Sequence, residues 1–213
     1  MSSEPETVST KQKILERAID LFSMSGYTET TVRELAASVG LKEASLYNHF
    51  PSKNAILEHI LEEYSQFTRA NFGKDRLSAL KDNPTADGIL SSMSLSFPKG
   101  REEYYLKMLY VILQEQHRNP LVKQFVTQDF ILGNENSIRT MIENLKDLGI
   151  LKSDTDPDYW VKLHSSLLYT FASRLMLGIG DNSPDFTGMG MTEMLKNMYD
   201  NMLKLCGTKN QAG

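Results

Sequence analysis

Apolar residues in this chain return every three or four positions almost from end to end, and nowhere in a sustained alternation of two. Spacings of three and four place side chains on one face of an α-helix, whereas a half-buried strand needs a period of two. The chain is therefore read as all-α. No Asn-Gly or Asp-Gly turn joins two apolar runs. Asp87-Gly88 comes nearest, but the stretch before it from Asp82 is largely polar. No repeat of 20 to 50 residues is present.

Glycine, proline and capping residues divide the pattern into segments. Ser9 with Gln12 fits a capping box, and Ile14, Leu15, Ala18, Ile19 and Phe22 follow at helical spacing up to Ser25-Gly26. Thr31 with Glu34 makes a second box ahead of Leu35, Ala36 and Val39, and Gly40 ends that helix. A short helix is expected from Lys42 to Phe50, with Leu46 and Phe50 turned inward. Pro51 stops it, because proline disfavours helix in the residue before it. Ser52 caps a fourth helix carrying Ile56, Leu57, Ile60, Leu61, Tyr64 and Phe67. Residues 73–88 read as a connector, with a possible short helix at 76–80. Helices are expected at about 85–97, 101–117 and 120–148, the last kinked or split near Gly133. Asp156-Pro157 starts another, and a final helix runs from Met191 to Leu203. About nine helices result.

Composition excludes several classes. The longest apolar run, Met108 to Leu113, falls far short of the roughly 20 residues of a membrane helix. The first residues are polar and acidic, so no secretory signal is expected. A single cysteine, Cys206, permits neither an intrachain disulfide nor a thiolate metal cluster. A cytoplasmic protein is the expectation. No Gly-x-Ser-x-Gly, phosphate loop or dinucleotide fingerprint occurs. Asp154, Asp156 and Asp158 alternate like a calcium loop, but Tyr159 and Ser165 stand where glycine and glutamate are needed. His49, His59, His117 and His164 are scattered. No catalytic residue, metal or cofactor is therefore expected, and no enzyme activity. The net charge of −4 is neutral on nucleic acid. Residues 10–54 hold six bases and five acids, so any case for DNA rests on placement.

Three short helices and a longer one, with Gly40-Leu41-Lys42 as a tight link, have helix-turn-helix geometry. The run Thr30-Thr31-Val32-Arg33-Glu34-Leu35-Ala36-Ala37-Ser38-Val39-Gly40-Leu41, then Ser45-Leu46-Tyr47-Asn48-His49-Phe50-Pro51-Ser52-Lys53, resembles the tetracycline-repressor (TetR) family. The likeness covers residues 10–57, about a fifth of the chain. It implies a sequence-specific DNA-binding regulator, read as a repressor released from its operator by a small molecule. By that resemblance Tyr47 bonds a phosphate and packs on its sugar, although without the surrounding motif it reads as an ordinary half-buried aromatic. His49 and Lys53 contact phosphate, and Thr31 does so through its amide or hydroxyl. Arg33 contacts a base or phosphate, while Lys42, Glu43, Ala44, Ser45 and Asn48 face the groove. Glu43 either accepts from cytosine or simply serves the start of a helix.

The remainder resembles the family's regulatory domain in architecture only. The resemblance implies a homodimer built on the last two helices, through Trp160, His164, Leu168, Phe171, Leu175, Met194, Met198 and Met202. Packing inside the monomer is the alternative. An effector pocket is expected among Phe67, Met93, Tyr105, Met108, Ile112, Phe125 and Met141, with Phe97, Tyr104 and Phe130 nearby, and its effector apolar or amphipathic. Each of these residues singly reads as core. The expected division is a DNA-binding domain at 1–55, a connecting helix at 52–72, a regulatory domain at 56–206 and a disordered tail at 207–213. The alternative function is an architectural or cell-division factor of the same fold, acting through protein partners.

Overall fold

The computed structural model describes residues 9–71, 84–93, 99–176 and 189–208, excepting the side chains of 69–71, 93, 175–176 and 189–192. Among these residues the secondary structure is helical apart from one isolated β-bridge. The helices are α1 (Thr10–Ser25), α2 (Val32–Ser38), α3 (Glu43–Tyr47), α4 (Lys53–Asn71), α5 (Ala86–Met93) and α6 (Glu102–Glu115). Then come α7 (Pro120–Phe125), a π-helical segment (Val126–Leu132), α8 (Gly133–Asp147), α9 (Pro157–Met176) and α10 (Met189–Cys206). Residues 120–147 form one unbroken helical run, and counting it once gives nine helices among the described residues. The disturbance expected near Gly133 is thus a widening ahead of it. The possible helix at 76–80 lies outside the described residues.

The chain divides into two compact units, 1–66 with 97–125, and 67–96 with 126–213. The boundary expected at 55/56 is not where packing divides it. In the first unit α6 packs along α1, although some 80 residues separate them. Lys107 of α6 ties the pair by an ion pair to Asp20 of α1 at 2.8 Å, and it also meets Glu103 one turn back on its own helix at 2.7 Å. The core holds Ile14, Leu15, Ala18, Ile19 and Phe22 from α1, with Leu35, Ala36, Leu46, Phe50, Ile56, Leu57 and Ile60, all at most 3% exposed. Burying each large aliphatic side chain contributes roughly 1.5–3 kcal/mol. Ser9 caps α1 as expected, accepting from the Gln12 amide at 3.2 Å. The reciprocal half of that box is not made. The Gln12 side chain instead donates to Glu16 and to the Tyr104 hydroxyl.

In the second unit α5, α8, α9 and α10 enclose one core, including Ile89, Ile138, Ile142, Leu145, Val161 and Tyr199. Asp156 caps α9, its carboxylate accepting from the Asp158 amide at 2.9 Å. The expected disordered tail is ordered at its start. Lys152 N donates to Cys206 O at 2.8 Å, and Thr208 N to Ile150 O at 3.1 Å. Residues 209–213 lie outside the described residues.

These cores bear on two groups of expectations. Trp160, His164, Met198 and Met202, expected at a dimer interface, are at most 5% exposed inside the protomer. The apolar stripes of α9 and α10 bury largely against their own unit. Leu168 and Phe171 are half-buried, Met194 is 52% exposed, and the Leu175 side chain lies outside the described residues. Of the expected pocket residues, Met108, Ile112 and Phe125 are buried in the first unit, and Phe67 and Met141 in the second. Tyr105 is half-buried with its ring edge-on to Tyr104, and the Met93 side chain lies outside the described residues. Core and pocket demand the same side chains at the same spacing, so periodicity cannot separate them.

Candidate nucleic-acid interface

The segment from Thr31 to Phe50 is built on local bonds. Thr31 Oγ1 accepts from the Glu34 amide at 3.1 Å, and the Glu34 carboxylate accepts from the Thr31 amide at 3.5 Å. This capping box starts α2 as expected. It also corrects one role given to Thr31, because its amide is already covered by a carboxylate. The hydroxyl proton is what it has left to offer a phosphate. At the far end, Leu41 N donates to Ala36 O at 2.9 Å and Gly40 N to Ala37 O at 3.1 Å. Gly40 holds φ at +71°, a left-handed conformation that a side chain resists. That turn aims α3 away from α2.

Helix α3 is only five residues long, shorter than expected. Asn48 ends it, and His49 and Phe50 follow in a tight turn, both donating to Leu46 O. Leu46 at 0% and Phe50 at 3% exposure pin this element from beneath. Its other side is open. Lys42, Glu43, Ala44, Asn48 and His49 are exposed, Ser45 is half-buried and Tyr47 is 43% exposed. Arg33 is exposed on the neighbouring α2. Among the described residues, none offers the side chains of Arg33, Lys42, Glu43, Tyr47, Asn48 or His49 a hydrogen bond or ion pair. A face with cationic, amide and phenolic groups left unengaged is equipped for phosphates and base edges.

Lys53 behaves otherwise and corrects a second expectation. Its ammonium donates to the carbonyls of Tyr27 at 2.7 Å, Thr30 at 2.9 Å and Thr28 at 3.4 Å. It also lies 4.3 Å from the centre of the Tyr27 ring. All three N–H donors thus close the turn between α1 and α2, leaving none for phosphate. Partial burial pulls its pKa below the usual lysine value, against the opposing pull of Glu115 and Glu29. The same turn is held from the other side by Glu115 of α6. That carboxylate, 4% exposed, accepts from the Tyr27 amide at 3.3 Å. Gly26, at φ +88°, lets the chain enter this turn after α1. Sequence reading missed Tyr27 and Glu115 as a pair. They lie 88 positions apart, and no local pattern marks a carboxylate that satisfies a distant amide.

None of the seven expected pocket residues lines the cleft found in the second unit. It measures about 360 Å³ and opens between the π-helical segment, the start of α8, and α9. No helix among the described residues is long and apolar enough to cross a membrane. No group of three or more His, Cys, Asp or Glu among them is placed to hold a metal ion.

Residues 14–60 match the family model of bacterial regulatory proteins of the tetR family. A probable HTH-type transcriptional regulator of Bacillus subtilis, YttP, is 27% identical over 145 residues, 68% of this chain and 59% of its own length. IcaR of Staphylococcus aureus, a negative transcriptional regulator of a biofilm operon, is 54% identical over 48 residues, 22% of this chain. The chain spans only 59% and 26% of the lengths of these two relatives. A solved putative TetR-family regulator from Mesorhizobium loti shares the fold at a TM-score of 0.66 and 17% identity, covering 96% of this chain and 100% of that one. The chain thus carries a tetR-family match at residues 14–60 and is alike in fold, along nearly its whole length, to a solved regulator described as of that family.

Proposed function

We propose that this chain is a sequence-specific DNA-binding transcription regulator, a homodimer that represses at its operator and leaves it when a small molecule binds. One observation carries the reading: α3 presents an unengaged polar face on a buried apolar footing of Leu46 and Phe50. In this reading Tyr47 and His49 contact phosphates, and Thr31 adds its hydroxyl. Arg33, Lys42, Glu43, Ala44, Ser45 and Asn48 approach base edges. Lys53 supports the head from within. Likeness of the head to a negative regulator favours repression over activation.

Dimerisation brings two heads to half-sites about 34–36 Å apart, one turn of DNA. The surface for it is the outward side of α9 and α10, where Phe171 is half-buried and Met194 and Leu205 are exposed. A small molecule acts by preferring one of two states, since equal affinity shifts nothing. Helix α4 is the candidate lever. It gives residues 53–66 to the first unit and continues into the second. The chain is read as a non-enzyme working in the cytoplasm.

The test is footprinting and gel shift on DNA beside the chain's own gene. Protection of a two-fold symmetric site, lost in Tyr47→Ala and in Asn48→Ala without loss of the folded dimer, is the expected result. Equal affinity of both variants for that site refutes the interface.

A further inference from the structure

The cleft of the second unit holds three polar features, two of them atoms that the fold leaves without partners. Asn134 Oδ1 and Ser165 Oγ, both in its lining, are shielded from solvent and lack any hydrogen-bond partner. A helical serine shielded from solvent can return its hydroxyl to the carbonyl one turn back. Ser137 does so to Gly133 O and Ser173 to Tyr169 O, both at 2.9 Å. Ser165 does not. Buried polar groups without partners are rare, and each calls for an explanation such as a bound molecule.

The third feature is a carboxylate. Glu135 is 9% exposed, and Lys162 Nζ donates to its two oxygens at 2.9 and 2.7 Å. The two side chains differ in freedom, Lys162 being 67% exposed and Glu135 only 12%. The lysine can swing into water, where its ammonium is well solvated, but the carboxylate cannot leave. The fixed charge of the cleft is negative and the movable one positive. Around them stand the rings of Phe130 and Tyr169. The cleft's volume falls in the range of small-ligand sites, roughly 300–1,000 Å³. The adjoining π-helical turn, Val126–Leu132, is a distortion that recurs at functional sites.

We propose that this cleft binds a small organic cation, an ammonium on an aromatic or aliphatic body, which replaces Lys162 on Glu135. One ammonium N–H goes to Glu135 and another to Asn134 Oδ1, while the body lies against Phe130 and Tyr169. Anions are disfavoured because Glu135 stays in place. The inference rests on the small-molecule part of the proposed function and names the class of that molecule.

Calorimetric titration of the full chain at neutral pH tests it with three probes sharing one ring: 2-phenylethylammonium, 2-phenylethanol and 3-phenylpropanoate. The ammonium is expected to bind roughly tenfold more tightly than the alcohol, and the carboxylate not at all. Glu135→Gln weakens the ammonium about tenfold. Lys162→Ala strengthens it, because the competing cation is gone. A purely structural ion pair gives the opposite result, with both variants weakened together. Absence of ammonium binding, preference for the carboxylate, or weakening by Lys162→Ala overturns the proposal. Gel shifts on the same preparations separate it from the function. Ammonium binding that leaves operator affinity unchanged upholds the cleft and refutes release by this ligand. Operator release by the ammonium that persists unchanged in Glu135→Gln overturns the cleft.

Discussion

Replacing Lys53 with methionine keeps the apolar stem and removes the ammonium that gathers the carbonyls of Tyr27, Thr28 and Thr30. Its two short bonds, at 2.7 and 2.9 Å, are the ones that count energetically. A hydrogen bond to a charged group contributes about 1.5–3 kcal/mol when shielded. Lys53 is half-buried, so water competes, and about 1 kcal/mol each is the appropriate figure. The contact with the Tyr27 ring, at 4.3 Å, adds roughly 0.5–1 kcal/mol. Lys53→Met is therefore expected to cost about 2–3 kcal/mol. For a chain of this size that lowers Tm by roughly 5–10 °C. The second half of the test is the salt dependence of operator binding. Each lysine that neutralises a phosphate contributes about 0.9 to the slope of log K against log salt. Lys53 has no donor to spare, so the variant should keep the wild-type slope while melting earlier. An unchanged Tm together with a slope reduced by about 0.9 refutes the reasoning and returns Lys53 to the DNA backbone.

Three further outcomes follow from the same geometry. Tyr47→Ala, at a 43% exposed position, should reduce operator affinity at least tenfold while moving Tm by no more than about 2 °C; a large fall in Tm would show that the ring serves the fold instead. Thr31→Ala removes the hydroxyl that accepts from the Glu34 amide, and chemical denaturation should show a loss of about 1 kcal/mol. Burial lowers the His164 pKa from 6.5 to about 4, with the Tyr199 hydroxyl 2.8 Å from Nδ1. The unfolded chain takes up this proton near pH 6.5 and the folded chain only near 4. Stability from this group is complete above 6.5 and is lost as pH falls toward 4, by up to about 1.4 kcal/mol per pH unit. His164→Asn should remove that slope in urea titrations across the window, and an unaltered slope would disprove the assignment.

The amino-acid sequence by itself determined the helical class, both boundaries of α2 and the start of α9, because caps, glycine and proline act over three or four residues. It determined the helix-turn-helix for the same reason. Leu35, Leu46 and Phe50 lie close in sequence, so their burial leaves Lys42, Tyr47, Asn48 and His49 outward without help from the rest of the chain. The tertiary structure alone decided the work of Lys53, since only folding brings an ammonium onto carbonyls more than 20 residues away. It also decided that α6 belongs with α1, and that Trp160 and Met202 are core and not surface. A stripe at helical spacing records that a face is covered; what covers it depends on contacts between distant segments. The cleft escaped the sequence for that reason, because Asn134, Glu135, Lys162 and Ser165 meet only once α8 and α9 have packed together.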